Sequence, residues 1–385
     1  MSIVPTVPLP AQAFRLRVGD TLPGFGWRDT TGAPVTPGLH GLAGGTLVLF
    51  ACGKSGASAV SREIAKFAEL ADRFRANGAI VAVVSADPVA DNAATANKLK
   101  LMLPLLSDPG FAFGRALGLD PAKGPGWAVA FVDARSRLAH VIGGETPGRP
   151  AVLALSHLQR RQKAQSDGGI VTEQAPVLVV PRLLEPEHCA RLIAYWEAGS
   201  KVQGRVDNDR GVRQMLDEDF KVRDDVFLPD FDAETQEVFD RFRERLLPEV
   251  QRAFHYRITR VETLRIGCYD GARQGHFNAH RDNTVPSTAH RRFAMSLNLN
   301  AGDYEGGTLR FPEYGPQLYR PETGGAVIFS CSLLHEAMAV TRGRRFGIFG
   351  FFFGEAEEAQ RYRANPSFVS TRIDVPLAAP TSSPP

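Results

Sequence analysis

The sequence predicts two different domains: an α/β domain with a mixed sheet, followed by a β-rich domain of the jelly-roll type with helical support. In the first 160 residues, short apolar runs typical of strands alternate with amphipathic helical patterns, an order that favours an α/β fold. From residue 257 to residue 353, short apolar runs follow one another between Gly, Asp and Pro turns, as in a sandwich or barrel. A polar, Gly-containing stretch separates the two patterns and is typical of a linker.

The length of 385 residues favours two or three domains. We predict that residues 15–162 form the α/β domain and that residues 163–174 form the linker. The β-rich domain is predicted to span residues 175–356. The end of the chain, residues 376–385, is rich in Pro and Ser and is predicted to be disordered.

The elements of the first domain are predicted from its apolar periodicity. A strand at 46–50 leads into a helix at 58–77, in which apolar residues recur at helical spacing and which Gly78 ends. The later elements are a strand at 79–85, a helix at 94–100, a strand at 103–107, a helix at 111–117, a hairpin of 127–133 and 138–142, and a closing helix at 150–162.

Two helices are predicted ahead of the strands of the second domain. Residues 185–198 open with an acidic residue and a Pro, and residues 232–254 carry apolar residues on one helical face. The strands are predicted in five apolar runs, VETLRIGCY, RFAMSLNLN, GTLRFP, GAVIFS and FGIFGFFF. This order predicts a jelly-roll core that the helices support.

Composition and charge exclude several classes of protein. The four cysteines share no short spacing, which excludes a disulfide-stapled fold and a CxxC pair. The net charge is +3, made of +6 in residues 1–168 and −3 in the remainder, without the one-sided basic clustering that nucleic-acid binding requires. No run of apolar residues approaches the length of about 18 that a membrane span requires. The first residues of the sequence show no signal-peptide pattern. We therefore expect no nucleic-acid or membrane partner and a cytoplasmic location.

A possible metal-binding pattern lies in the second domain. His280 and Asp282 flank one residue, so in a strand both side chains lie on the same face. Taken alone, such a pair is more often structural. His335 follows the predicted strand GAVIFS, 53 residues beyond Asp282, and two His with one carboxylate form the facial triad of non-haem Fe(II) oxygenases. Arg345 enters an apolar strand ten residues later, where a buried guanidinium needs an anion. A co-substrate that chelates iron at one end and carries a carboxylate at the other would supply it.

Residues 176–353 resemble the 2-oxoglutarate- and Fe(II)-dependent oxygenase superfamily, in its prolyl 4-hydroxylase-like branch. The matching pieces, in order, are APVLVVPRLLEPEHCARLI, the segment from Tyr269 to the H-x-D pair, SLNLN, EGGTLRFP, GGAVIFSCSLLHEA, and VTRGRR ending in Arg345. The resemblance implies a double-stranded β-helix, with iron held by His280, Asp282 and His335. Because halogenating relatives lack the carboxylate, Asp282 favours hydroxylation.

The same resemblance implies the cofactors and partners. Fe(II) would be the metal, 2-oxoglutarate and O₂ the co-substrates, succinate and CO₂ the co-products, and ascorbate a candidate reductant. Arg345 would hold the distal carboxylate of 2-oxoglutarate, and Tyr269 would also reach it, although an aromatic residue in such a strand is more often core. Arg342 and Arg344 compete with Arg345 for this role. The sequence leaves three kinds of hydroxylated substrate open: a residue within a peptide, such as a prolyl residue, a free amino acid, or another small molecule. It also leaves open whether the protein forms a homodimer.

The histidines and cysteines next to the site receive structural interpretations. His276 and His290 flank the metal pattern without a carboxylate two residues on, and we expect surface histidines rather than residues of the pocket entrance. Cys268 and Cys331 sit beside strands and are expected to be small buried hydrophobes.

Residues 15–160 resemble the AhpC/TSA peroxiredoxins, a division of the thioredoxin fold, in the phrases VGDTLPGF, LVLF, AIVAVVSAD, LPLLSDPGFAFGRALGL and AVAFVDARSRLAHVI. The chemistry of that family is missing. Its reactive Cys belongs at the start of the first helix, where residues 57–61 hold none, and Trp127 stands where the family has its activating Arg. Cys52, several residues early, is the remaining redox candidate and is more readily a buried structural thiol.

The sequence thus predicts an α/β thioredoxin-like domain followed by a double-stranded β-helix (jelly-roll) domain with supporting helices. Three functions remain: a hydroxylase whose first domain positions a substrate, a partner or a second protomer; a binding or redox-sensing protein with a slow oxygenase domain; and a bifunctional peroxidase–oxygenase that uses Cys52. The missing family Cys disfavours the third.

Overall fold

The computed structural model divides the chain into two compact units, residues 1–169 and residues 170–385. It describes residues 15–35, 46–108, 110–120, 126–133, 136–144, 149–164, 170–171, 173–204, 206–207, 214–215, 217–364 and 370–374. The division falls within the predicted linker, whose residues 165–169 and 172 lie outside the described part. The predicted tail, 376–385, also lies outside it.

The first unit is a seven-stranded mixed sheet in the order β2-β1-β5-β4-β3-β6-β7. Strands β3, β4 and β5 are parallel, and β6 and β7 continue the sheet antiparallel. The strands are β1 (Trp27–Arg28), β2 (Pro34–Val35), β3 (Thr46–Cys52), β4 (Ala79–Ser85), β5 (Leu105–Ser107), β6 (Trp127–Val132) and β7 (Leu138–Gly144). The helices are α1 (Ser58–Glu69), α2 (Ala71–Ala76), α3 (Val89–Leu99), α4 (Ala112–Ala116) and α5 (Pro150–Ala164).

Helices pack on both faces of this sheet. Phe67 of α1, Phe74 of α2 and Leu155 of α5 belong to one core cluster with alternate residues of β3, and Phe113 of α4 belongs to the cluster on the other face. The predicted α/β class is therefore confirmed. The predicted helix at 58–77 is wrong in its continuity, because the chain leaves helical geometry at Leu70 (φ −92°, ψ 2°). This turn leaves Phe67 and Phe74 stacked at a centroid distance of 5.8 Å.

The second unit contains a large antiparallel sheet in the order β8-β20-β16-β23-β14-β12-β9, with β13 and β24 attached, and a four-stranded sheet, β15-β21-β18-β19. The strands of the large sheet are β8 (Leu178–Val180), β9 (Val202–Gln203), β12 (Asp224–Leu228), β13 (Arg260–Glu262), β14 (Leu264–Asp270), β16 (Phe293–Asn298), β20 (Ala326–Ser330), β23 (Arg344–Phe353) and β24 (Ser370–Arg372). The other strands are β10 (Val206–Asp207), β11 (Gln214–Met215), β15 (Phe277–His280), β17 (Glu305–Gly306), β18 (Leu309–Arg310), β19 (Leu318–Tyr319), β21 (His335–Ala337) and β22 (Val340–Arg342).

The two faces of the large sheet have different roles. Leu264, Ile266 and Cys268 of β14 pack with the helices in one core cluster, while Tyr269 belongs to a second cluster that includes Leu309 of β18. Alternate residues of a strand face opposite sides, so Arg265 and Gly267 share the side of Tyr269. This two-sheet arrangement with supporting helices confirms the predicted jelly-roll class.

The helices are α6 (Pro186–Ala198), α7 (Ala233–Arg241), α8 (Leu247–Phe254) and α9 (Glu355–Ala364), with a π-helical turn at Phe242–Leu246 and short 3₁₀ turns at Gly271–Arg273 and Pro312–Tyr314. The predicted helix at 232–254 thus consists of α7, the π turn and α8, with the Asp232 side chain accepting a hydrogen bond from the Glu234 amide at its start. Helix α9 and strand β24 lie beyond the predicted end of the domain at residue 356, and β24 pairs with β13. Among the described residues, no helix is both long and apolar enough to cross a membrane.

Candidate metal centre and its cavity

A cavity of about 360 Å³ opens on the inner side of the large sheet of the second unit. Its lining residues come from β14, β16 and β23 of that sheet and from β15, β18 and β21 of the four-stranded sheet. His280, Asp282 and His335 all lie in its wall. The three residues of the predicted metal site are therefore in one cavity.

Strand pairing places the two histidines side by side. His280 ends β15 and is the direct cross-strand partner of His335, which begins β21. Asp282 follows β15 by two residues, and its backbone amide donates to the carbonyl of Cys331 at 2.9 Å. As a result, Asp282 Oδ1 lies 3.4 Å from His280 Nε2, and Asp282 Oδ2 lies 3.4 Å from His335 Nε2.

Backbone carbonyls fix the orientation of both rings. His280 Nδ1 lies 2.7 Å from the carbonyl oxygen of Asn278, and His335 Nδ1 lies 3.0 Å from that of Leu333. A carbonyl oxygen only accepts, so each Nδ1 carries the proton and each Nε2 presents a lone pair. Phe277 stacks on His280 with a centroid distance of 3.6 Å and restrains the ring further.

Three groups that can each offer a metal-ligand atom thus face one another. Burial lowers the pKa of His335, although Asp282 opposes this shift, so the ring is neutral at neutral pH. Two imidazole nitrogens and a carboxylate oxygen within 4.8 Å of one another are a donor set that suits a divalent transition metal such as Fe(II). The hydrogen bonds to Nδ1 are the outer contacts that metal-bound histidines ordinarily make. The residues present therefore fit the metal that the resemblance implies.

Arg345 lies beside this cavity with part of its guanidinium unsatisfied. It is 4% exposed, it pairs with Tyr269 across β23 and β14, and its Nη2 donates to Ser296 Oγ at 2.7 Å. Its Nε and Nη1 are buried and have no hydrogen-bond partner among the described residues. Arg345 itself is not part of the cavity wall, whereas Ser296 and Tyr269 are. Because a buried cation with open donors favours an anion, the predicted carboxylate-binding role has a physical basis.

The competing arginines face elsewhere. Arg342 forms an exposed ion pair with Glu305, and Arg344 forms one with Glu197 at 2.8 Å. Tyr269 is buried, and its hydroxyl accepts a hydrogen bond from Arg223 at 3.2 Å. Its predicted contact with the co-substrate stays a prediction.

Sequence reasoning missed four cations in the cavity wall: Lys221, Arg223, Arg265 and Arg291. Lys221 and Arg223 precede β12 in a segment without strand periodicity, so only the tertiary structure brings them inward. The sequence did carry a signal for Arg265. It alternates with Gly267 and Tyr269 along β14, so all three share a face of the strand. Gly267 is needed there, because a Cβ would lie 2.7 Å from both Arg223 Cδ and Asp225 Oδ1.

The expectation of a surface histidine at position 290 is wrong. His290 is buried, and its Nε2 lies 2.9 Å from Glu262 Oε1. Glu262 also binds Arg291, whose Nη1 donates to the carbonyl of Asp282 at 3.3 Å. His290 therefore belongs to the support of the site. Cys268 and Cys331 are buried, as expected.

A second group with metal-ligand atoms occurs at His188, Glu234 and Glu237. Arg191 already binds one oxygen of Glu234 at 3.1 Å and one of Glu237 at 2.5 Å. His188 Nε2 lies 3.2 Å from the other oxygen of Glu234. With a guanidinium in contact with both carboxylates, the group is an ion-pair cluster between α6 and α7.

In the first unit, Cys52 ends β3 and is completely buried. Its Sγ lies 3.8 Å from the carbonyl of Val84, and Trp127 is its partner across β6. Burial raises the pKa of this thiol far above its ordinary value, the reverse of what a reactive thiolate requires. Helix α1 begins six residues later at Ser58. The geometry disfavours a redox role for Cys52.

Comparisons with known proteins agree with this division of the chain. Residues 264–353 match the family model of the 2OG-Fe(II) oxygenase superfamily, and residues 18–141 match that of the AhpC/TSA family. A PKHD-type hydroxylase from Saccharophagus degradans is 34% identical over 90 residues, which are 21% of this chain and 39% of that protein. The chain thus spans well under half of the length of this curated relative.

Solved structures similar to each unit include the peroxidoxin BcpB of Mycobacterium tuberculosis (26% identity, 38% of this chain and 98% of that chain, TM-score 0.34). A prolyl hydroxylase of Trichoplax adhaerens, solved with a peptide fragment of a hypoxia inducible factor, is also similar (16% identity, 48% of this chain and 87% of that chain, TM-score 0.38). The two family matches thus fall in different units of the chain, the AhpC/TSA match in the first and the 2OG-Fe(II) oxygenase match in the second.

Proposed function

We propose that this protein is an Fe(II)- and 2-oxoglutarate-dependent dioxygenase that hydroxylates a C–H bond of an amino-acid substrate, peptidyl or free. The observation that carries the proposal is the convergence of His280, Asp282 and His335 in one cavity beside an Arg345 with open, buried donors. The oxygenase family match includes all four residues. Bound Fe(II) supplies the redox chemistry, in which 2-oxoglutarate and O₂ give succinate and CO₂ while one oxygen atom enters the substrate.

The chain's own residues position the reactants. His280 and His335 present fixed Nε2 atoms because backbone carbonyls hold their Nδ1 protons. Three protein ligands leave further coordination positions for 2-oxoglutarate and O₂. Arg345 binds the distal carboxylate of 2-oxoglutarate through Nε and Nη1, which have no other described partner.

Aromatic side chains border both histidines and make this part of the cavity wall apolar, which favours the exclusion of water. Phe277 stacks on His280, and Phe329 lies 4.5 Å from the His335 ring between centroids. Exclusion of water strengthens the contact between Arg345 and a carboxylate. It also protects a reactive site from side reactions.

The test is substrate-stimulated succinate formation by the full chain, loaded anaerobically with Fe(II) and then given 2-oxoglutarate and air. Peptides and free amino acids are screened with and without ascorbate, because the need for a reductant is a separate question. Succinate must rise with a matching amount of hydroxylated product, and an Asp282→Ala variant must produce neither. A chain that binds Fe(II) and 2-oxoglutarate but forms no succinate with any compound contradicts the proposal.

A further inference from the structure

The wall of the metal cavity carries an excess of positive charge. Among the described residues, five cationic side chains line it and one acidic side chain does, that of the proposed metal ligand Asp282; the cations are Lys221, Arg223, Arg265, Arg281 and Arg291. Buried charge is costly unless a partner compensates it. The question is therefore which of these cations already have partners.

Three of the five are matched by carboxylates. Arg223 binds both oxygens of Asp225, at 2.6 and 2.8 Å. Arg291 binds both oxygens of Glu262 in the same way, also at 2.6 and 2.8 Å. Arg281 pairs with Glu313 at 2.6 Å at the surface. Each of these carboxylates thus already binds a guanidinium group, and Asp225 also acts electrostatically on Lys221 and Arg265.

Arg265 has no ion pair with any carboxylate in the part of the chain that the structure describes, and its buried Nε has no hydrogen-bond partner there. Its guanidinium lies 5.7 Å from the ring centre of Phe351 and 5.6 Å from that of Phe227. Burial lowers the pKa of Arg265; Asp225 opposes this shift, whereas Arg223 and Arg291 add to it. Cation–π contacts compensate only part of this cost.

Lys221 places a second cationic side chain, an ammonium group, in the wall of the same cavity. It is 4% exposed, and its Nζ lies 4.6 Å from the centre of Phe277, the ring that stacks on His280. Burial, with Arg223 next, lowers its pKa well below the ordinary value. A cation held this close to the metal ligands is well placed to meet a negatively charged substrate.

Arg265 and Arg345 lie at different positions along the sheet. Both side chains arise from the inner face, but Arg265 is four residues from Tyr269, the strand partner of Arg345, which separates them by roughly 13 Å along the sheet. Arg345 lies against Tyr269, whereas Arg265 lies against Phe351. One carboxylate therefore does not occupy both guanidinium groups.

We propose that Arg265 and Lys221 form a receptor for an oxyanion, a carboxylate or a phosphate, on the substrate that is hydroxylated. This assignment rests on the proposed function for the same cavity. It resolves the open choice of substrate: the cavity takes a free acid, such as an amino acid with its own carboxylate, in preference to an uncharged internal residue of a peptide.

The first experiment requires neither iron nor turnover. Binding of inorganic phosphate to the metal-free full chain is followed by the broadening of its ³¹P resonance. In an Arg345→Ala background, which removes the other open guanidinium, we expect Arg265→Gln and Lys221→Met each to remove at least four fifths of the broadening above that of free phosphate, and Arg265→Lys to retain it. Arg260→Gln is the matched control, because Arg260 pairs with Glu355 at 3.1 Å and does not line the cavity. Circular dichroism verifies the fold of each variant. Equal broadening by the Arg345→Ala chain and a folded chain that also carries Arg265→Gln overturns the proposal.

The second experiment measures succinate formation with matched compounds. Free L-amino acids should stimulate it at least tenfold more than their C-terminal amides. O-phosphoserine amide then distinguishes a phosphate from a carboxylate as the group that is recognised. Arg265→Gln should raise the KM for the acid at least tenfold and leave that for 2-oxoglutarate within twofold. Equal use of the amides, or a raised KM for 2-oxoglutarate alone, overturns the proposal. A wild type without turnover that still binds phosphate through Arg265 contradicts the proposed function while the oxyanion site stands.

Discussion

One cluster of buried polar side chains in the first unit and the proposed metal site in the second differ in how their hydrogen bonds are satisfied. In the first unit, the Ser55 amide donates to Asp87 Oδ2 at 2.7 Å, and the Ser55 hydroxyl lies 2.8 Å from the same oxygen. Asn92 Oδ1 accepts from Ser85 Oγ at 2.7 Å. These groups follow β3 and β4, close to where a peroxiredoxin-like domain would hold its reactive thiol. Their hydrogen bonds are satisfied within the cluster, so no ligand is needed there.

In the second unit, the buried polar atoms of the proposed metal site and of Arg345 contact one another or have no hydrogen-bond partner among the described residues. The two Nε2 atoms of the proposed metal site each lie 3.4 Å from a carboxylate oxygen of Asp282, and Arg345 keeps two buried donors open among the described residues. Since nearly all buried polar groups in folded proteins are hydrogen-bonded, exceptions require an explanation. The comparison teaches that unsatisfied buried groups, rather than the mere presence of polar residues, mark the site of chemistry.

The largest expected effect comes from the metal ligands. His280→Ala, Asp282→Ala and His335→Ala should each weaken binding of Fe(II), or of Mn(II) in its place, at least about 100-fold, or about 2.8 kcal/mol, because one of three protein ligands is lost. Competition with a fluorescent chelator under argon measures the affinity.

The matched control for the metal ligands is Asn283→Ala. Asn283 is adjacent to Asp282, but its side chain donates to Ser332 Oγ. This variant should bind metal within twofold of the wild type. Unchanged affinity in any of the three ligand variants would remove that residue from the metal site and weaken the contrast between the two units.

The next largest effect concerns Arg345. Arg345→Ala removes a buried partner of the co-substrate carboxylate, so the KM for 2-oxoglutarate should rise at least about 30-fold, which corresponds to about 2 kcal/mol. The affinity for Fe(II) should stay unchanged. Steady-state kinetics with varied 2-oxoglutarate and the chelator assay separate the two quantities.

Arg344→Ala is the control for this measurement, because Arg344 is half-exposed and pairs with Glu197. A raised KM in Arg344→Ala together with an unaffected Arg345→Ala would transfer the carboxylate-binding role to the neighbouring residue.

A smaller effect is expected from the satisfied cluster of the first unit. Asp87→Ala leaves the buried amide and hydroxyl of Ser55 without their acceptor, which should cost about 1–3 kcal/mol of local stability. Hydrogen exchange of the β3 and β4 amides measures this loss, and succinate formation should not change. Asp72→Ala is the control, since Asp72 is 91% exposed and pairs at the surface. Loss of succinate formation in Asp87→Ala would make the first unit part of the reaction.

Much of the fold and the centre of the site could be predicted from local patterns. The strand at 79–85 was predicted with its observed bounds, since an apolar run bounded by Gly78 and a polar segment is a local signal. His280 and Asp282 were found because their spacing of two is also local. The chemistry of the facial triad and of a buried guanidinium pointed to His335 and Arg345, and the resemblance then supported the connection of all four residues.

Tertiary structure supplied what the sequence could not. Lys221 reaches the cavity through a bridge to Phe277, 56 residues away in the sequence, and no local pattern indicates such a contact. His290 was misjudged for the same reason, because its partner Glu262 lies 28 residues away in the sequence, on β13. Whether such a residue is exposed or supports the site depends on its pairing with charged groups that are distant in the sequence.

The smallest expected effect is the strongest test of the contrast between the units. Cys52 is buried behind Val84 and Trp127 with a raised pKa, and oxidation of a thiol depends on thiolate character and access. The native full chain should therefore consume no peroxide catalytically with dithiothreitol or a thioredoxin system. Cys52→Ser, and Cys52→Ala as a second variant, should leave succinate formation within twofold of the wild type. All four cysteines are buried, so a thiol-labelling reagent should modify none in the native chain and all four after unfolding. Peroxide consumption that disappears in both Cys52 variants would instead make the first unit a second catalytic centre, and the protein bifunctional.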